Sequence, residues 1–133
     1  MLFRSSVRTL ISKFHVGPDQ TRVSIVTYHK DGEVRVSFDD AKYQSQKGLG
    51  QLLDDMIAND KLGSPTRTDN ALDVVGKEVF NTKNGDRPES PNVMIVLTDG
   101  ATHKSSRPYS EVLPALEVSI LKTGSLNNTI AEC

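Results

Sequence analysis

The chain has one cysteine, Cys133, and it is the last of 133 residues, so neither an internal disulfide nor a Cys/His metal cluster can be assembled. It also lacks an excess of either charge, with 16 Lys and Arg against 17 Asp and Glu and a formal charge of -1. That balance leaves no electrostatic footprint for nucleic acid or for an anionic membrane. Apolar residues make up 36%, on the low side for a globular domain. None of the apolar runs approaches the roughly 18 residues of a membrane helix, and membrane insertion is not expected. Residues 1–14 carry Arg4 and Arg8 among their apolar positions and have no central apolar block with a small-residue cleavage site, so they do not read as a signal peptide. Also missing are a G-x-S-x-G elbow, a P-loop, an H-E-x-x-H motif, any internal repeat and any low-complexity block. What remains is a length that fits one domain, 1–133, with a core of its own.

The most informative stretch is Pro91-Asn92-Val93-Met94-Ile95-Val96-Leu97-Thr98-Asp99-Gly100. Five consecutive apolar residues suit a strand buried on both faces, as in a parallel sheet covered by helices. Asp99 then sits at the strand's C-terminal end, where open α/β sheets bind ligands, although an Asp before a Gly also simply starts a turn. Upstream, Phe3, Val7, Leu10, Ile11 and Phe14 mark one face of an amphipathic helix that Gly17-Pro18-Asp19 ends. Residues 22–28 and 33–38 read as a hairpin around Lys30-Asp31-Gly32, with Gly32 at positive φ and the second strand, apolar and polar on alternate residues, at a sheet edge. Leu49, Leu52, Leu53, Met56 and Ile57 have helical spacing, which predicts one or two short helices broken near Gly48 or Gly50. Ala71, Leu72, Val75, Val79 and Phe80 predict another helix, with Thr68 or Asp69 as its N-cap and Asp69 complementing its dipole. Val112, Leu113, Leu116, Ile120 and Leu121 predict a last helix over 109–122, with Pro114 in its first turn.

Thr66 precedes one helix and Asp99 follows the buried strand, and in a doubly wound sheet both points open onto the same edge. A hydroxyl and a carboxylate are hard oxygen donors, suited to Mg2+ or Ca2+ rather than zinc or copper. His103, four residues past Asp99, offers the alternative of a general base in a metal-assisted hydrolase, but a solvated loop histidine is the plainer reading. His15 and His29, at a helix end and a strand end, have no matching carboxylate pattern.

Three segments, 17–23, 63–72 and 87–100, carry a resemblance to the von Willebrand factor type A domain of matrilins, collagen VI and related matrix or adhesion proteins. The likeness covers about 3–100 and fades beyond it, with 123–133 an unpatterned tail. It implies an α/β fold with a doubly wound, mostly parallel sheet and helices on both faces. It implies a non-enzymatic, extracellular protein-binding module, part of a longer protein, whose partner is a matrix or cell-surface protein. The family's metal-ion-dependent adhesion site uses a D-x-S-x-S loop, a threonine and an aspartate; the last two map to Thr66 and Asp99, with Thr68 and Gly100 in support. The ion implied is Mg2+, or Ca2+ or Mn2+. No D-x-S-x-S occurs in this sequence, since Met1 falls where the first helix has begun and Ser5 and Ser6 lie inside that helix. A partial domain without its first central strand, and with weak or absent metal binding, is therefore expected. Residues 22–28 would then pair directly with 93–97, or both would leave backbone edges unpaired. A metal-independent interaction or structural role is the competing expectation. One N-glycosylation sequon, at Asn127, adds little.

Overall fold

The computed structural model describes residues 2–28, 30–59, 67–97, 104–112 and 119–123. Its elements are α1 (Leu2–Ser12), the hairpin β1 (Ile25–Tyr28) and β2 (Gly32–Val36), α2 (Gln46–Asn59), α3 (Thr68–Val74), β3 (Val93–Leu97), α4 (Tyr109–Val112) and β4 (Ser119–Thr123). A 3-10 turn at Ala41–Tyr43 precedes α2, and α3 runs on into a π turn at Val75–Val79, closed by the Phe80 amide donating to the Val75 carbonyl (3.0 Å).

The hairpin forms as the alternation predicts, antiparallel, but with an irregularity that changes what it covers. Ile25 pairs with Val36 and Val26 with Val34, so Arg35 is an extra residue in β2, a β-bulge. Val34 and Val36 consequently serve different cores. Val26, Val34 and Phe38 pack on a cluster of Leu72, Val75, Val79, Met94 and Val112, from α3, its π turn, β3 and α4. Ile25, with the fully buried Val36, joins Ile11, Leu49, Leu52 and Leu53 of α1 and α2. The hairpin is thus apolar on both sides, and the expectation of a second strand with one polar face is corrected by one inserted residue.

Several local expectations change for reasons of close packing. Gly32 is not at positive φ; it opens β2 opposite Tyr28, and a Cβ there would stand 3.1 Å from both Ala71 Cα and Val74 Cβ, so it lets α3 approach the hairpin. The positive φ among the described glycines belongs to Gly85 (94°), where a Cβ would lie 2.6 Å from the Asp39 amide nitrogen. Neither Gly48 nor Gly50 breaks a helix. Both lie inside α2, and at Gly48 a Cβ would come within 2.2 Å of the Lys42 carbonyl oxygen, so the helix starts hard against the 3-10 turn.

The largest correction falls on 109–122. Only Tyr109–Val112 is helical among the described residues of that stretch, and Ile120 and Leu121 belong to β4, paired in parallel with Met94 and Ile95 of β3. A short apolar run with helical spacing also suits a buried parallel strand, and the ladder offered by β3 satisfies backbone groups that a helix would satisfy internally. Leu113, Pro114 and Leu116 lie outside the described residues. Among the described ladders, β1 pairs with β2 and β3 with β4; a direct β1–β3 ladder is not among them.

Polar side chains bind the segments where strands stop. Gln44 is buried, and its amide takes the place of a neighbouring strand at Val23: Nε2 donates to the Val23 carbonyl (2.9 Å) and the Ser37 carbonyl (3.1 Å), while Oε1 accepts from the Val23 amide (2.9 Å). The Gln46 side-chain amide donates to the Ile11 and Phe14 carbonyls, closing the C-terminal end of α1. Arg22 donates to the Pro18 and Gly85 carbonyls and Arg87 to the Gln20 carbonyl, bracing loop 17–22 against loop 81–90.

Candidate functional site

The end of the fold singled out by the sequence is reached through the first turn of α3 and the segment before α4. Thr66, Asp99 and Gly100 lie outside the described residues, as do His29, His103 and Asn127. Thr68 is described. It is the first residue of α3, almost wholly buried, and its hydroxyl makes no hydrogen bond to a described residue. The helix starts differently from expectation: Arg67 occupies the cap position without a side-chain cap bond, and Thr68 and Asp69 both lie inside the first turn. Asp69 is still placed to complement the dipole, but its carboxylate is drawn to two guanidinium groups.

Asp69 is 1% exposed, which makes it one of the most deeply buried side chains described. Arg67 grips it with a fork, Nε to Oδ1 at 3.0 Å and one terminal nitrogen to Oδ2 at 2.8 Å. Arg107, from the segment before α4, donates through Nε to the same Oδ2 at 3.2 Å and through a terminal nitrogen to Asp73, one helical turn further along α3. Burial alone would raise the Asp69 pKa, but the Arg67 hydrogen bonds, followed by contacts from Arg107, hold it well below the usual carboxylate range. Both arginines are shifted up in turn, Arg67 by its bond to Asp69 and Arg107 by its bonds to Asp73 and Asp69. A carboxylate held this way is not a free metal ligand. Among the described residues no group of three or more His, Cys, Asp or Glu is arranged to hold a metal ion.

Sequence reasoning noticed Asp69 but not its role, and it passed over Arg107 altogether. Asp69 and Asp73 at i and i+4 do mark one face of a helix, which is a legible signal for a cationic partner; nothing in the sequence pointed to an arginine 34 residues beyond Asp73. His15 was expected at a helix end and is found just past α1, where its carbonyl accepts from the Thr21 amide (3.0 Å).

Comparison with known proteins shows the fold and the family. The structure of proximal thread matrix protein 1 from the mussel byssus with a zinc-occupied MIDAS motif aligns with a TM-score of 0.78 at 17% identity, covering 92% of this chain and 32% of that one. A second crystal form of the same protein aligns at 0.77 and 16% identity, with the same shares of both chains. Those scores establish the fold as the α/β fold of von Willebrand factor type A domains. The family model of the von Willebrand factor type A domain matches residues 2–132, and the chain belongs to that family. Integrin alpha-11 of Mus musculus is 32% identical over 96 residues, 72% of this chain and 8% of that protein. The collagen alpha-6(VI) chain of Homo sapiens is 24% identical over 129 residues, 97% of this chain and 5% of that protein. The chain thus spans less than a tenth of the length of either relative.

Proposed function

We propose that the chain acts as a non-enzymatic protein-binding module of the extracellular-matrix or adhesion type, outside the cell and within a longer protein, with a matrix or cell-surface protein as its partner. The observation that carries this is the family match over residues 2–132, together with similarity to an integrin alpha chain and a collagen VI chain. The architecture that goes with it is a doubly wound, mostly parallel sheet with helices on both faces. The parallel β3–β4 pair supports that architecture, as do the two clusters flanking the hairpin.

Within this reading Thr66 and Asp99 are the residues that face a divalent cation, with Thr68 and Gly100 supporting their loops. The donors fit in kind: hydroxyls and a carboxylate are hard oxygens, and the buried Thr68 hydroxyl is free of any described partner. Asp69 does not join them, because both its oxygens are held by arginines. A bound Mg2+, Ca2+ or Mn2+ would supply an open coordination position for a carboxylate of the partner. Two protein oxygens with no D-x-S-x-S loop hold such an ion weakly, and the isolated chain is expected to bind Mg2+ weakly or not at all. Isothermal titration with Mg2+ tests this; micromolar affinity abolished by Asp99→Ala overturns it.

The second reading, a metal-independent interaction module, is favoured by the pairing of Asp69 with two arginines, which removes from cation binding the described carboxylate that follows Thr66 most closely in sequence. Capture of immobilised matrix proteins with and without EDTA separates the two. Binding that survives EDTA supports the second reading, and binding lost with EDTA supports the first. Absence of binding to any matrix or cell-surface protein overturns both.

A further inference from the structure

We infer that Arg107 is an electrostatic clasp that ionic strength opens: it seats the stretch 104–108, just before α4, on the flank of α3, and it can let go without disturbing the helix. The first observation behind this is an asymmetry in how the buried charge is neutralised. Asp69 receives two hydrogen bonds from Arg67, at 3.0 and 2.8 Å, and one from Arg107 at 3.2 Å. The Arg67 fork spans only two residues at the start of α3 and engages both carboxylate oxygens, so it forms whenever the helix does. Arg107 adds a second cation to an oxygen that already has one. Taking the only partner from a buried charge is strongly destabilising, but Asp69 keeps its fork when Arg107 leaves.

The second observation is where the ties of Arg107 lie. Its side chain is 45% exposed and that of Asp73, its other partner, 38%, so the outer half of the clasp stands in water and salt screens its attraction. The two guanidinium groups also repel one another across Asp69, Arg107 disfavouring the charge on Arg67, and opening relieves that repulsion. The third observation is the stretch itself. No residue of 104–108 is buried, and the next buried side chain described is Val112, in the cluster with Leu72 and Val75. The stretch therefore buries no apolar side chain against α3, and the seating of Val112 limits how far it can lift.

The α3 flank thus has two forms. Closed, Asp73 and Arg107 cancel one another on the surface. Open, Asp73 stands alone on the helix while the strap carries its guanidinium away, and Asp69 stays neutralised beneath by Arg67. A partner docking across this face meets one of two charge patterns, selected by ionic strength. The clasp goes beyond the binding role proposed above and does not depend on it.

The test follows the clasp in the full chain. Nitroxide labels at Lys77→Cys and Lys104→Cys, both exposed positions, in a Cys133→Ser background report the separation between the π turn that ends α3 and the strap. Pulsed electron resonance is read at about 0.01 M and about 1 M NaCl, where the screening length is about 30 Å and about 3 Å. One narrow distance distribution is expected at low salt. At high salt a second, broader population should appear, with the closed-to-open ratio falling about fivefold, the upper end for an exposed ion pair. Arg107→Gln, which removes the charge, is expected to give the broad distribution at both salt concentrations with unchanged helix content by circular dichroism. Asp73→Asn, which leaves Arg107 with Asp69 alone, should open at lower salt than the parent. A parent distribution that is the same at both salt concentrations overturns the inference, as does an Arg107→Gln distribution that responds to salt as the parent's does. Loss of helix content in Arg107→Gln overturns it as well, since Arg67 alone would then not suffice to hold Asp69.

Discussion

Replacing Gln44 by leucine is expected to destabilise the domain by about 3 kcal/mol, although leucine is apolar, of similar volume and enters a nearly closed site. The side-chain amide makes three hydrogen bonds to main-chain groups, two to Val23 and one to Ser37. Leucine fills the space but leaves one amide and two carbonyls without that partner. At about 1 kcal/mol for each part-buried group, the low end for unsatisfied polar atoms, the loss is about 3 kcal/mol, and at about 2 kcal/mol each it doubles. Because Gln44 already fills the site, leucine gains only part of the about 1.5 to 3 kcal/mol that burying a side chain from water provides, and the net loss stays near 3 kcal/mol. Alanine adds a cavity and should cost more than leucine. Glutamate keeps the volume and can still accept from the Val23 amide, but its second oxygen faces two carbonyls, so it should be worse than leucine at neutral pH and recover in acid as the carboxyl gains a proton. Urea unfolding followed by circular dichroism gives the comparison; with slopes of about 1 to 3 kcal/mol per molar urea, a 3 kcal/mol loss moves the midpoint by about 1 to 3 M. A Gln44→Leu protein within about 0.5 kcal/mol of the parent would refute the argument, because it would mean the three main-chain groups find water or each other at no cost.

Two glycines should respond in the same direction to alanine for different reasons. Gly48→Ala raises helix propensity by about 1 kcal/mol in isolation, yet it is expected to lower the melting temperature, since the new Cβ meets the Lys42 carbonyl at 2.2 Å. Gly85→Ala is expected to destabilise by about 1 to 2 kcal/mol or more from the positive φ alone, with the 2.6 Å approach to the Asp39 amide added; a neutral outcome in thermal unfolding counts against the loop geometry. The pH dependence of Asp69 has a definite sign. Its folded pKa is depressed, so the unfolded chain binds more protons in the acid range and stability rises with pH there. The contribution is complete above the ordinary aspartate value of about 3.9 and is lost as pH falls from there toward the folded value. Urea midpoints measured from pH 7 down to pH 2.5 should therefore fall less steeply below pH 4 in Asp69→Asn than in the parent, and parallel curves would contradict the assignment.

Much of the fold was legible because its signals are local. The apolar spacing of α1 and α3 follows from the helical repeat, the strand from Val93 to Leu97 from its unbroken apolar run, and the hairpin from alternation; burial of that strand on both faces was expected, but Val93 is 54% exposed and Met94 is the buried side chain among those described. What the sequence concealed depends on partners far along the chain. Ile120 and Leu121 sit at spacing that suits a helix, and only the neighbouring strand turns them into β4. Gly48 and Gly50 looked like breaks because glycine weakens a helix, whereas the approach of Lys42 that makes Gly48 necessary is visible only once the turn is folded. Of the residues described near the candidate site, one was legible and its partner was not. Thr66 and Asp99, read from position and family motif, lie outside the described residues, while Asp69 was read as a helix-start residue. Its tie to Arg107 joins positions 38 residues apart and leaves no periodic trace.

The bulge at Arg35 has a consequence for how this module tolerates change. An inserted residue in a strand acts as a half-rotation of everything after it, so Val36 faces away from Val34 and the hairpin carries a different apolar set on each side. Deleting Arg35 would remove the bulge yet leave Val34 and Val36, then neighbours, on opposite sides, whereas regular pairing with Arg35 retained would put both valines on one side, emptying one cluster of a fully enclosed residue and crowding the other. The two clusters therefore share a single point of phase control. A strand shortened by Arg35 keeps each valine with its own cluster and an unbulged strand that retains it does not, so what this position controls is the parity of the hairpin rather than its length.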